Sequence, residues 1–241
     1  MPDWPAPPNV RALISTRAGG VSIAPYASMN PADHVGDDPQ AVRRNREIIR
    51  AALPGEPHWL KQVHSALVYR VSGDVQTVPE ADAAVSTLSN QVCVVLTADC
   101  LPVLFCADDG SEVGAAHAGW RGLAAGILER TVESMRAPGA RLLAYLGPAI
   151  GPRAFEVGPE VRAEFIATDA QAAAAFQPVA GSDKYLADLY LLARQRLAQV
   201  GVTRVYGGDY CTYSEAQRFF SYRRDGATGR MAAMIWLEPA S

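Results

Sequence analysis

Between residues 92 and 118 the chain carries three short apolar runs set apart by turn residues, and no other stretch limits the fold as tightly. Residues 92–97 and 101–107 are too short for stable helices and are rich in valine and leucine, so both are expected as buried strands. Asp108-Asp109-Gly110 is a turn, and 112–117 returns as a third strand that Gly119 ends. Beyond it, Leu123, Ile127, Leu128, Val132 and Met135 fall close to helical spacing and predict one helix over 121–136.

The rest of the chain reads less sharply. Strands are expected at 10–16, 59–63, 66–71, 141–146 and near Val205, with a closing hairpin of 219–222 against 231–237. Asp38 and Pro39 have the chemistry of an N-cap and a first helical residue, placing a helix over 39–53, and two more are expected at 159–168 and 186–200. Residues 26–36 and 147–152 read as loops. Strands come in groups with helices between them and not in strict alternation. That favours an α/β protein of the α+β type, with a mixed, largely antiparallel sheet and flanking helices. At 241 residues, 1–241 is expected to be a single domain.

Composition removes several function classes. A formal charge of −3 gives no basis for nucleic-acid binding, and Arg43-Arg44-Asn45-Arg46 reads as the solvated face of a helix. No run approaches the roughly 20 apolar residues of a membrane span. Residues 1–9 hold four prolines and no apolar stretch, unlike a secretory signal. Cys93, Cys100, Cys106 and Cys211 are too few and too scattered for a disulfide framework, which points to a cytoplasmic protein with free thiols. Cys93 and Cys106, inside strand patterns, read as core thiols.

Cys100 and His117 flank the predicted hairpin. With Asp108 and Asp109 as its loop pair, residue 100 opposes 117, with Cβ atoms about 5 Å apart. With Asp109-Gly110 instead, His117 opposes residue 102 and lies diagonal to Cys100 on the same face. Only an odd-numbered loop would separate them. A third partner would come from His34, His58 or His64, and His64 closes the apolar run 60–64 where a side chain leans over a sheet end. One cysteine and two histidines leave a fourth position open, the pattern of catalytic zinc. Cys211 as a fourth ligand would instead make the site structural.

The chain also carries Ser15-Thr16-Arg17, Gly19-Gly20-Val21-Ser22, Met29-Asn30, His34-Val35-Gly36-Asp37-Asp38 and Lys61-Gln62-Val63-His64. Further along come Ala81-Asp82-Ala83, Thr97-Ala98-Asp99-Cys100, Ala116-His117-Ala118-Gly119-Trp120-Arg121-Gly122, Phe155-Glu156-Val157-Gly158, Cys211-Thr212-Tyr213 and Phe219-Phe220-Ser221-Tyr222-Arg223-Arg224-Asp225. In this order they resemble, almost end to end, the YfiH-type family. That family is variously called laccase-domain, polyphenol oxidase, purine nucleoside phosphorylase and peptidoglycan editing factor. Ala18 stands where basic residues are common. The resemblance implies a metal, usually zinc with copper possible, on His64, Cys100 and His117. It also implies a fold similar to the cytotoxic necrotizing factor catalytic domain.

Three chemistries go with the family. Multicopper laccase chemistry needs a histidine-rich set, and this chain has four histidines in all. Purine nucleoside phosphorolysis (adenosine, inosine, guanosine, methylthioadenosine) with adenosine deamination suits an open metal site. Asp99 is the candidate proton shuttle for it, and Arg17, Asn30 and Arg223 are the candidates for binding substrate or phosphate, with Tyr26, Phe155 and Tyr222 available to stack a purine. In the third, a cysteine hydrolase or amidase editing peptidoglycan precursors, Cys100 is the nucleophile and His117 the base.

Overall fold

The structure, a computed structural model, describes residues 2–73 and 78–239. Its strands in chain order begin with β1 (Val10–Ile14), β2 (Pro57–His58), β3 (Val68–Arg70) and β4 (Ala83–Ser86). The central strands are β5 (Val92–Thr97), β6 (Leu101–Ala107), β7 (Val113–Ala118) and β8 (Leu142–Leu146). The short β9 (Glu156–Val157), β10 (Phe176–Pro178) and β11 (Tyr185–Ala187) follow, then β12 (Arg204–Gly207) and β13 (Met231–Leu237). The helices are α1 (Pro39–Arg50), α2 (Trp120–Ala124), α3 (Ile127–Ser134), α4 (Pro159–Thr168), α5 (Leu189–Gln199) and α6 (Tyr222–Asp225).

Two sheets stack face to face. One has the order β1-β13-β5-β2, the other β12-β8-β6-β7-β4-β3, and a small β10-β11-β9 sheet lies apart from both. Side chains alternate along each strand. In β5, Cys93 and Val95 enter the layer between the sheets, while Val92, Val94 and Leu96 face Ile49 of α1 and Trp59. In β6, Leu104 and Cys106 enter that same layer, while Leu101, Val103 and Phe105 face Leu123, Ile127 and Leu128. With both faces covered, the central strands have to be continuous apolar runs, which is how they read in sequence. Burial pushes the Cys93 and Cys106 thiols up to about 12, as core thiols require.

The α+β reading with mixed, mainly antiparallel pairing holds, as two stacked sheets. Several boundaries are corrected. The helix expected over 121–136 is two helices, because Gly126 at φ 90° turns the chain between α2 and α3. Both pieces pack on one core, which preserved the helical spacing. Residues 186–187 belong to β11, and α5 begins at Leu189 after Asp188, whose carboxylate accepts from Leu191 N at 3.0 Å. Asp38 caps α1 as expected, accepting from Gln40 N at 3.0 Å, but the helix stops at Arg50. The strand expected at 59–63 does not form: β2 lies just before it, and Lys61 makes only an isolated bridge to Glu80, while the strand expected at 66–71 shrinks to β3. The closing hairpin does not form: β13 lies between β1 and β5, so neither of its edges is open to 219–222. Tyr222–Asp225 is helical instead, capped by Ser221.

Candidate metal centre

The starts of β4 and β6 and the ends of β7 and β8 meet at one end of the six-stranded sheet. His117 lies in β7 across from Pro102, the register that the Asp109-Gly110 turn predicts. Cys100 sits in the tight turn between β5 and β6, where Asp99 takes a left-handed φ of 88°. His64, also left-handed at φ 61°, lies in the turn before β3. Left-handed backbone at non-glycine residues costs free energy and has to be held by its surroundings.

For His64 the holding group is Asp82. This fully buried carboxylate accepts from the backbone N–H groups of Val63, His64 and Ser65 at 3.2, 3.0 and 2.6 Å, and from the Ser65 hydroxyl at 2.8 Å. Its Oδ1 also lies 2.9 Å from His117 Nδ1. One buried anion therefore fixes His64 through the main chain and His117 through the ring, leaving Nε2 of His117 as the free nitrogen. Burial opposes ionisation of Asp82, but the hydrogen bonds from His117 and Ser65 outweigh it and hold its pKa at about 2. Burial likewise opposes a charge on Cys100, yet His117 and His64 draw its thiol pKa below the ordinary value. Burial disfavours charged His117, and the Cys100 thiolate and Asp82 together outweigh that and raise its pKa.

The donor atoms of His64, Cys100 and His117 all lie within 4.8 Å of one another, with Cys100 Sγ 3.9 Å from His64 Nε2. Tetrahedral zinc places sulfur and nitrogen ligands about 3.6 Å apart. A contraction of about an ångström closes the three donors around one ion, so donor type, number and spacing fit a mononuclear centre. The chain passes so close behind them that a Cβ on Gly119 would lie 2.8 Å from Cys100 Sγ and 3.1 Å from His64 Cδ2. Only glycine fits there.

The donors open into a cavity of about 450 Å³ that also reaches Asp99, Phe155, Tyr222, Arg223 and Arg230. Asp99 is in place beside Cys100, but its oxygens are engaged: Oδ1 accepts from the Thr212 hydroxyl at 2.6 Å and Oδ2 from Arg223 N at 2.6 Å. Two expected binding residues are elsewhere. Arg17 donates to the carbonyls of Ala27 and Ala216 and stacks on Phe220, bracing the N-terminal loop outside the cavity. Asn30 is fully buried, donating to Asp37 Oδ2 and Ala32 O and accepting from Ala32 N and Arg230 N. Tyr26 is likewise outside the lining, its hydroxyl donating to Val35 O. Cys211 stands apart from the donor cluster, its Sγ accepting from Gly151 N at 3.3 Å. Sequence reasoning missed the roles of Asp82, Gln62 and Arg230. For Asp82 a signal existed, a lone carboxylate inside the apolar run 81–85. The Gln62 side chain donates a hydrogen bond to Leu96 O and accepts one from Leu96 N, and nothing in its neighbours announces them.

A family model described as multi-copper polyphenol oxidoreductase laccase matches residues 11–238. The chain is 57% identical over 239 residues to the purine nucleoside phosphorylase YfiH of Escherichia coli, covering 98% of each. It is 54% identical over 237 residues to a purine nucleoside phosphorylase of Pseudomonas aeruginosa, covering 98% of this chain and 97% of that one. Among solved structures, a Neisseria meningitidis protein matches with a TM-score of 0.95 at 53% identity, covering 99% of this chain and 98% of that one. YlmD from Geobacillus stearothermophilus matches at 0.85 and 32% identity, covering 96% and 93%.

Proposed function

Because the chain belongs to the YfiH-type, laccase-domain family, we propose that it is a metal-dependent enzyme of purine nucleosides. It would phosphorolyse adenosine, inosine, guanosine and methylthioadenosine, and deaminate adenosine. The observation that carries this reading is the His64–Cys100–His117 cluster facing a cavity that also holds aromatic and cationic side chains. The names of the two phosphorylase relatives support the same reading.

His64, Cys100 and His117 would hold the ion; zinc suits this donor set, and copper is compatible with it. When bound, it would supply a Lewis acid and an acidified water. The chain's own groups have distinct tasks. Asp82 keeps the proton of His117 on Nδ1, so that Nε2 stays a donor to the centre. Phe155 and Tyr222 offer apolar surface to a base. In phosphorolysis a phosphate oxygen bonds to ribose C1′ as the C1′–N9 bond breaks and the base leaves protonated. In deamination water adds at C6 and ammonia departs. We assign the protein to the cytosol, a reading its four free thiols support. Multicopper chemistry lacks ligands: His58 is buried against Gln91 at 2.6 Å and is not in the cluster.

One observation favours a second reading. Asp82, His117 and Cys100 also form a chain of the kind that activates a cysteine nucleophile. Purified protein incubated with inosine distinguishes the two. The purine reading expects hypoxanthine and ribose 1-phosphate in equal amounts, dependent on added phosphate. Untouched inosine, together with rapid alkylation of Cys100 in protein as isolated, would replace it with the hydrolase.

A further inference from the structure

The cavity holds a second set of groups besides the metal donors. Arg121, Arg223 and Arg230 line it, and among the described residues the only carboxylate in its lining is Asp99, already engaged. Each guanidinium rests on an aromatic ring: Arg121 on Trp120 at 4.4 Å, Arg223 on Phe155 at 5.4 Å and Arg230 on Tyr222 at 5.9 Å. Arg223 Nη1 donates to Glu156 O at 2.8 Å, and Arg230 Nη1 donates to Thr228 O and Gly229 O at 2.8 and 3.0 Å. Among the described residues neither side chain has a carboxylate partner, and Nε and Nη2 of both lack an acceptor.

Their backbones are fixed from below. Asn30 Oδ1 accepts from Arg230 N at 3.0 Å, and Asp99 Oδ2 accepts from Arg223 N at 2.6 Å. Arg230 is half-buried, and burial lowers its pKa from the ordinary value. A half-buried guanidinium gives up part of its hydration, which a bound oxyanion replaces with charge-assisted hydrogen bonds. Arg230, half-buried, and Arg223, at the exposed rim, are braced on rings and anchored at the main chain, and they present several N–H donors in fixed planes, the arrangement that recognises a tetrahedral oxyanion.

We propose that Arg223 and Arg230 form an oxyanion subsite of the metal-centre cavity and that its ligand is inorganic phosphate. The choice of ligand rests on the phosphorolysis reading; the subsite geometry does not. Asn30 and Asp99 then act at one remove, as the residues that hold the two arginine backbones in place.

Calorimetric titration of inorganic phosphate into the purified, metal-containing protein tests this. Wild type is expected to bind at one saturable site. R230Q and R223Q are each expected to weaken binding roughly 10- to 100-fold, the usual cost of a lost bond to a charged group. R43Q, an exposed change on α1, is expected to match wild type. R223Q, at an exposed position, keeps the test alive if R230Q fails to fold. Absence of saturable phosphate binding, unchanged affinity in both cavity variants, or binding of uridine diphosphate but not of free phosphate would each overturn the subsite. Phosphate binding without inosine turnover upholds the subsite and removes the phosphorolysis reading. Phosphate-dependent turnover with an unchanged phosphate KM in both variants does the reverse.

Discussion

Exchanging Cys100 for alanine is expected to take the bound metal from about one ion per chain to nearly none. It should also lower kcat/KM for inosine by roughly a thousandfold or more, as loss of a residue acting within a catalytic unit does. Cys100 is the anionic member of the donor set, and its thiol is drawn below its ordinary pKa by the two histidines beside it. Removing it leaves two imidazoles, one on β7 and one on the turn before β3, the latter held in a left-handed conformation. The fold should survive, because the half-buried Cys100 precedes β6 and contributes to none of the hydrophobic clusters. Metal analysis, inosine turnover and a thermal melt of chelated protein check the three parts separately. A variant that keeps its metal would show that the sulfur is not a ligand.

The second large effect is expected at Asp82. An asparagine there has one oxygen for two tasks, so its NH2 must face either the Nδ1–H of His117 or the N–H groups of the 63–65 turn. Metal affinity in D82N is expected to fall roughly 10- to 100-fold, the range for a group that orients a metal-binding histidine. Unfolding free energy should fall by about 2–4 kcal/mol, from buried donors left without an acceptor. The pH dependence has a definite sign. The folded pKa of Asp82 is about 2, below its ordinary 3.8. Its contribution, about 2 kcal/mol, is complete above the ordinary value and is lost as pH falls toward the folded one. In metal-free protein, the stability gap between wild type and D82N should therefore narrow by about 2 kcal/mol between about pH 5 and pH 2. A gap that stays constant over that range would contradict the role given to the carboxylate.

Legibility in the sequence followed locality. The stretch 92–118 could be read because its strands are continuous apolar runs joined by a short turn, and Asp109-Gly110 set the register that brings His117 to the Cys100 side. The break at Gly126 was hidden because Leu123 and Ile127 keep helical spacing across it while packing on one core. The place of β13 between β1 and β5 was not legible, since pairing of Val10 with Leu237 leaves no local signal. His64 was one of three histidines until the family resemblance singled it out. Asp82 acts on a turn some 18 residues before it, and only the folded chain shows that turn wrapped around it. Arg17 and Asn30 drew attention as polar residues in dense motifs, but those motifs build the loop network of Ser22, Asp37 and Asn45. Asn30 reaches the cavity only through the backbone of Arg230.

X-ray absorption on the metal bound to untagged, purified protein reads the ligands of the His64–Cys100–His117 centre. About one ion per chain is expected, bonded to one sulfur near 2.3 Å and two imidazole nitrogens near 2.0 Å. A second sulfur, several copper ions, or no bound metal at all would contradict this assignment.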